Sequence, residues 1–500
     1  MNETATEAGA GNAALSPERL FLGSCVALIA TSVAFATVGA VMFALKGEFV
    51  LTNAEVGWIG GAALWGFAVS QVVFAPLCDT LGMRALLRMA FVGHLGGTLL
   101  MIFADGFATL FAGGLVIAMA NGLVEAACNP LVAALYPDNK TVKLNRFHVW
   151  FPGGIVLGGL AAYGLDGVGL TSWQLKLALI LVPTLAYGWL LLGQRFPQTE
   201  GRRSGVSMGE MFRATLGTPL MLLLLVCMAM TASLELGPNR WVPAVLEAGG
   251  MAGILVLVYI NGIMAVMRFW AGPVVHRLSP TGILLASAAI SGVGLFWLSG
   301  GGTAASTFAA ATVFAVGVCY LWPTMLGFVS EQIPKSGALG LGLMGTVGMA
   351  TVGLVTAPWM GEVADRESHD LLVENGAFVV LVEGAGALDS QQLRTPGPEG
   401  DDLRAAQEVI VGVLSGVTED ASLPPVETAN ALRALIGSGS TSPTVERAEE
   451  ILYPAENYGG LVSFRYLAPL SGVLVVVFGL LFLRQRRAGG YRAERLRQGQ

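Results

Sequence analysis

Glu125 falls near the middle of an apolar run, Phe107 to Tyr136, that is long enough to cross a bilayer. A carboxyl group at that depth is costly on any transfer scale and marks a functional site by default. Proton coupling needs a group that changes charge while facing first one side of a membrane and then the other, and burial in a low-dielectric cavity disfavours the charged carboxylate. The plainer role, a hydrogen-bonded acid that ties two helices together, stays open. Glu235 is a second acid of this kind, within Thr231 to Trp241. It suits either proton coupling or pairing with a nearby cation, and Arg240 beside it reads as an interfacial anchor.

A solute cavity needs a few polar groups for orientation and aromatic faces for C–H surfaces. Gln71, Asn121, Asn129, His148, Trp150, Asn261, Tyr320 and Trp322 are the candidate substrate contacts. Each aromatic also fits packing or a lipid interface, and Trp322 has the stronger claim because it lies one internal repeat from Glu125. His94 and His276 read as hydrogen-bonded packing and loop residues. The chain contains no HExxH, GxxxxGK[ST] or GxSxG pattern, so neither ATP-driven work nor hydrolysis is supported and no enzyme activity, cofactor or metal is expected.

These groups need long apolar helices to hold them. Of 500 residues, 54% are hydrophobic and 12% charged, and the mean hydropathy is +0.66, which defines a polytopic membrane protein. Windows of about 20 residues mark twelve spans with cores near 20–45, 54–77, 85–104, 107–136, 147–165, 173–194, 218–243, 252–275, 281–299, 304–329, 337–361 and 463–483. The first run is too long for a signal-peptide core and lacks a basic flank, so Ala34-Phe35-Ala36 is not expected to be a cleavage site. The five cysteines lie in or beside apolar segments and read as packing residues, and 67 glycines suit close helix approach in lipid.

Basic residues gather on one face: Arg84 and Arg88; Lys140, Lys143 and Arg146; Arg195 to Arg213; and Arg484 to Arg487 after the last span. The positive-inside rule makes that face, and both termini, cytoplasmic. The halves repeat. Ala75 to Arg84 matches Gly272 to Ser279 at an offset of roughly 197 residues, and the same shift carries span one onto seven and four onto ten. It also places span twelve near residue 370, whereas the next apolar run begins near 463, so residues 362–462 are an insert on the opposite, extracytoplasmic face. That insert holds 18 of the 34 acids and 5 of the 28 Lys and Arg, about −13 in all. Helical spacing over Asp401 to Val417 and Pro425 to Ile436 predicts two or three short helices in a small cap.

The loop residues Asp79, Gly82 and Arg84 resemble the gate loop of the major facilitator superfamily, with Arg277 in the repeated copy. More narrowly, Glu125-Ala-Ala-Cys-Asn129-Pro130, Lys143-Leu-Asn145 followed by His148, Trp322-Pro323-Thr324 and Gly361-Glu-Val-Ala-Asp365 resemble the fucose:proton symporter branch. That resemblance implies an all-α membrane fold of twelve helices in two pseudo-symmetric six-helix bundles, alternating access, Glu125 as proton carrier, His148 as a substrate contact and Glu235 as the family's span-seven acid. The family's first-span Asp has no counterpart in Ala30 to Gly39. Pro152-Gly153-Gly154 with Gly158-Gly159 partly resembles an antiporter motif, which keeps an exporter open.

The expected organisation is a bundle over 1–198, a linker over 199–217, helices seven to eleven over 218–361, the insert over 362–462, helix twelve over 463–485 and a basic tail over 486–500. The leading expectation is a plasma-membrane secondary transporter, monomeric in the bilayer, that imports a small polar solute, a sugar above all, with protons and contacts no nucleic acid. An efflux antiporter or uncoupled facilitator, and a transporter-like sensor using the acidic insert, are the alternatives.

Overall fold

The computed structural model describes residues 16–49, 51, 53–392, 395, 397–417 and 423–496. The polar stretch 1–15 and the last residues of the basic tail, 497–500, lie outside them. Helices make up nearly all of the described residues, and among those residues eleven helices are long and apolar enough to cross a membrane. Gly253–Phe269, at the position expected for span eight, is a shorter apolar helix. It continues past a turn at Trp270 into Ala271–Leu298, and that helix is itself broken at Ser279, where φ is +61°. Spans eight and nine are therefore joined by the same tight turn that joins spans two and three, where Gly82 has φ +83°. Gly82 and Ser279 are repeat equivalents.

Spans one to six run through Pro17–Glu48, Asn53–Phe74, Met83–Ile102, Phe107–Leu135, Lys140–Gly167 and Trp173–Leu191. They pack mainly on one another, as do spans seven to twelve. Glycine permits the close approach that lipid-embedded packing needs. A Cβ at Gly97 would lie 2.8 Å from the Gly113 carbonyl, and one at Gly317 would lie 2.2 Å from the Ser291 nitrogen. The six-span groups meet where span two packs on eleven, five on eight, and the start of five on ten. They are connected by Glu200–Arg203 and Met208–Gly217, the second opened by a Ser207–Glu210 capping box.

The insert forms helices Ala377–Gln392, Pro398–Ser415 and Pro425–Gly437. The last two follow the helical spacing of the sequence, with proline at the first turn of each. The first was not legible as amphipathic. Spans eleven and twelve extend into this cap: Ala357–Glu374 runs beyond the apolar segment, and Pro443–Arg487 is one helix of 45 residues. At 1.5 Å per residue that helix is about 68 Å long, more than twice the roughly 30 Å hydrocarbon core. Hydropathy marks only its second half, because its first half buries Ala448, Leu452 and Ala455 in the cap core with Leu381, Ile410 and Leu432. The cap is thus built on the ends of two spans of the second group.

Candidate functional site

Span four is buried on all sides from Ala120 to Ala134, so Glu125 has only protein to satisfy it. Asn129, one turn on, donates from Nδ2 to Oε2 at 2.5 Å. The other oxygen, Oε1, faces His148 Nε2 at 3.4 Å. His148 Nδ1–H donates to the Leu144 carbonyl at 3.0 Å, which fixes the tautomer and leaves Nε2 with a bare lone pair in the neutral ring. Two facing lone pairs repel. The contact is attractive only while one proton is held between Glu125 and His148, on either atom.

Glu235 does not pair with Arg240. Its partner is Arg268, a residue of span eight that is 1% exposed, with Nη2 2.7 Å from Glu235 Oε1. The same guanidinium donates from Nε to the Cys319 carbonyl at 2.5 Å and from Nη1 to the His148 carbonyl at 3.0 Å. Both carbonyls stand four residues before a proline, Pro323 and Pro152, which has no N–H to complete the helical bond. Arg268 therefore supplies a donor to the Cys319 carbonyl, and a second one to the His148 carbonyl beside the 3.4 Å bond from the Phe151 N–H, where two prolines remove the helical donors. The signal that marks it in the sequence is a lone arginine in Val266-Met-Arg-Phe-Trp270 within a span.

Phe67, Glu125, His148, Phe151, Glu235 and Trp322 line one closed cavity with Leu236, Arg268 and Met349. Its volume is about 20 Å³, room for a water but not a sugar, so the centre is occluded. Trp322 donates its backbone N–H to Glu235 Oε2 at 3.4 Å, and its ring occupies the space left by Gly348.

The other expected contacts lie elsewhere. Asn121, one turn before Glu125, accepts at Oδ1 from His94 Nε2 at 2.8 Å, and His94 Nδ1 meets the Tyr187 hydroxyl at 3.0 Å. Asn121 lines a separate vestibule nearer the cap face. Asn261 donates to its own helix at Leu257, and the Tyr320 hydroxyl donates to the Met267 carbonyl. Trp150 is half-buried, and its carbonyl accepts from Ser32 at 3.0 Å. Gln71 is buried between spans two and eleven against Gly345, with no hydrogen bond to either amide atom.

Toward the basic face the two groups are locked together. Lys140 pairs with Glu200 at 2.5 Å and donates to the Ser330 carbonyl at 3.3 Å. Thr141 donates to Glu331 Oε1 from both its backbone nitrogen, at 3.0 Å, and its hydroxyl, at 2.7 Å. The chain after span twelve crosses this contact: Tyr491 donates to Glu331 Oε2 at 2.5 Å, and Arg495 pairs with Asp138 at 2.6 Å. Of the expected gate residues, Asp79 accepts from Thr199 at 2.5 Å and from Arg202, at its carbonyl, at 2.8 Å. Gly82 makes the turn into span three, Arg84 is exposed, and Arg277 borders a cavity of about 780 Å³ beside the tail. Glu331 was not anticipated; it lies where a span end and a loop meet, a place that hydropathy does not single out.

A membrane-embedded, two-group helical fold with an occluded acid–base centre defines a secondary transporter scaffold. The major facilitator superfamily model matches residues 20–358, and the chain belongs to that superfamily. It is a transporter and not an enzyme. Among solved structures, the fold is similar to the superfamily transporter FucP in the outward conformation (TM-score 0.58, 18% identity, 69% of this chain and 92% of that one). It is also similar to the proton:xylose symporter XylE bound to 6-bromo-6-deoxy-D-glucose (0.59, 14%, 72% and 90%) and to the human organic anion transporter MFSD10 (0.55, 14%, 69% and 93%). No curated protein matches the sequence significantly.

Proposed function

We propose that this transporter imports a small polar solute of the sugar class together with protons, across the plasma membrane, by rocking its two six-span groups about the central cavity. The basic face is then cytoplasmic, with both termini inside, and the acidic cap is outside. The observation that carries the reading is the Glu125–His148 contact at 3.4 Å: a closed mid-membrane pair that attracts only while it holds a proton is a loading site whose emptying alters the cavity's charge. Similarity to sugar:proton symporters supports the solute class.

On this reading Glu125 carries the proton, His148 and Trp322 meet the solute, and Glu235 balances the charge of Arg268. Asp79, Arg84 and Arg277 belong to the inner gate with Lys140 and Glu331. The test is sugar transport in proteoliposomes with Glu125→Gln. Counterflow should survive while accumulation driven by a pH gradient disappears. Accumulation that is unchanged, with the same pH dependence, rules out the coupling role.

A further inference from the structure

The vestibule between the central cavity and the cap face measures about 60 Å³ in this occluded form, so it takes a solute only once the spans part; its walls, from spans one, two and four, are largely apolar, Phe35, Val38, Met42 and Ile59 among them. Two side chains break that surface. Asn121 is pinned through Oδ1 by His94, which in turn rests on Tyr187, so its amide NH₂ is oriented and has no protein acceptor. Arg240, from span seven across the gap, is exposed and has neither an ion pair nor a hydrogen bond among the described residues. Among the described residues it is the one charged side chain in the vestibule lining, whereas Glu235 beneath it is matched by Arg268. Between the two cavities lie Phe35, Phe67 and Phe151, with ring centroids 6.5 and 5.9 Å from Phe35.

Low-dielectric walls around a single unmatched cation focus its field and draw in an anion. A guanidinium presents paired N–H donors that fit a carboxylate in two-point contact. One cation calls for one negative charge, the Asn121 NH₂ adds a neutral donor, and the apolar walls suit C–H faces. We infer that the vestibule is the entry subsite for a hydroxylated monocarboxylate, a sugar acid, held by Arg240 and passed inward beyond the phenylalanine layer. The inference rests on the proton-coupled reading above and narrows its substrate. It also changes the charge balance: one monocarboxylate entering with one proton moves no net charge, whereas a neutral sugar with a proton moves +1.

The experiment uses the full-length protein in proteoliposomes, with D-glucuronate and D-gluconate as probes and D-glucose as the neutral control. The expected result is uptake of at least one acid driven by a pH gradient and unaffected by a potassium/valinomycin potential, with glucose competing at least tenfold more weakly. Arg240→Gln should weaken uptake of that acid tenfold or more while its elution profile and melting temperature stay those of the parent, and Arg240→Lys should recover part of the loss. Neither acid being taken up, glucose competing equally, uptake following the potential, or an Arg240→Gln protein with parental affinity would each overturn the inference. So would loss of acid binding at 150 mM chloride, roughly physiological ionic strength, which would make Arg240 a halide site only. Glucose uptake that needs Glu125 and follows the potential refutes the sugar acid and leaves proton coupling standing. Acid uptake that ignores Glu125→Gln does the reverse.

Discussion

Arg268 on span eight donates to the backbone carbonyl of His148 on span five at 3.0 Å, so the second six-span group grips the first at the residue that faces Glu125. The grip exists because Pro152 leaves that carbonyl without its helical donor.

Removing this cation should be severe. Arg268→Met leaves Glu235 buried without its ion-pair partner and opens the Cys319 carbonyl, and the expected loss is about 3–5 kcal/mol. Thermal unfolding in detergent should show it as a large drop in melting temperature. Arg268→Met with Glu235→Met should recover part of the loss but not all, since the Cys319 carbonyl remains open and the His148 carbonyl keeps only its 3.4 Å bond from the Phe151 N–H. A single variant as stable as the parent would remove Arg268 from its bracing role.

His148→Gln retains a polar side chain of similar reach but cannot hold the shared proton. Counterflow should persist, while uptake driven by a pH gradient should fall and lose the part of its pH profile that depends on the imidazole. An identical uptake–pH curve for variant and parent would place His148 outside the proton path.

Gly348→Ala would put a methyl carbon 2.7 Å from the Trp322 ring. Overpacking of this kind costs about 1–3 kcal/mol, and the ring has the cavity as its way out. Solute affinity should fall severalfold while expression and folding are kept, measured as a raised half-saturation concentration in counterflow. Equal affinities would mean that the Trp322 ring does not shape the solute site.

Gln71 is buried with both amide atoms unpartnered in the occluded form. Each unmade bond costs about 1–3 kcal/mol, a cost relieved when the interface of spans two and eleven opens to water. Gln71→Leu should therefore stabilise the occluded form, raising the melting temperature and slowing turnover. Faster turnover or a lower melting temperature would contradict this.

Tyr491 is half-buried beside the Glu331 carboxylate, and partial burial and that charge both push its pKa above the ordinary tyrosine value. A raised pKa means that its contribution is complete below about pH 10, the unfolded value, and is lost only as pH climbs beyond it. The tail contact should thus be insensitive to pH across the physiological range. Tyr491→Phe should loosen it, speeding alkylation of a cysteine placed at Thr141 from the basic face; no change in labelling rate would show that the tail does not hold the gate shut.

Much of this molecule was legible in order along the chain. The membrane spans, the repeat that puts Gly82 and Ser279 in equivalent turns, the two later cap helices by their helical spacing, and Glu125 as an intramembrane acid all follow from local composition and spacing. Hydropathy and helical periodicity act over one or two dozen residues, and so does the information that they carry. The partners of these residues do not follow. Arg268 meets Cys319 and His148 from far along the chain, Asn121 owes its orientation to His94 and Tyr187, and Gln71, Asn261 and Tyr320 are turned away from the central cavity. A polar residue in a span must find a partner because lipid offers none, but twelve helices offer many faces. Which face it meets is settled by the packing of small residues and proline breaks between helices, a property of the assembled bundle and not of any one segment.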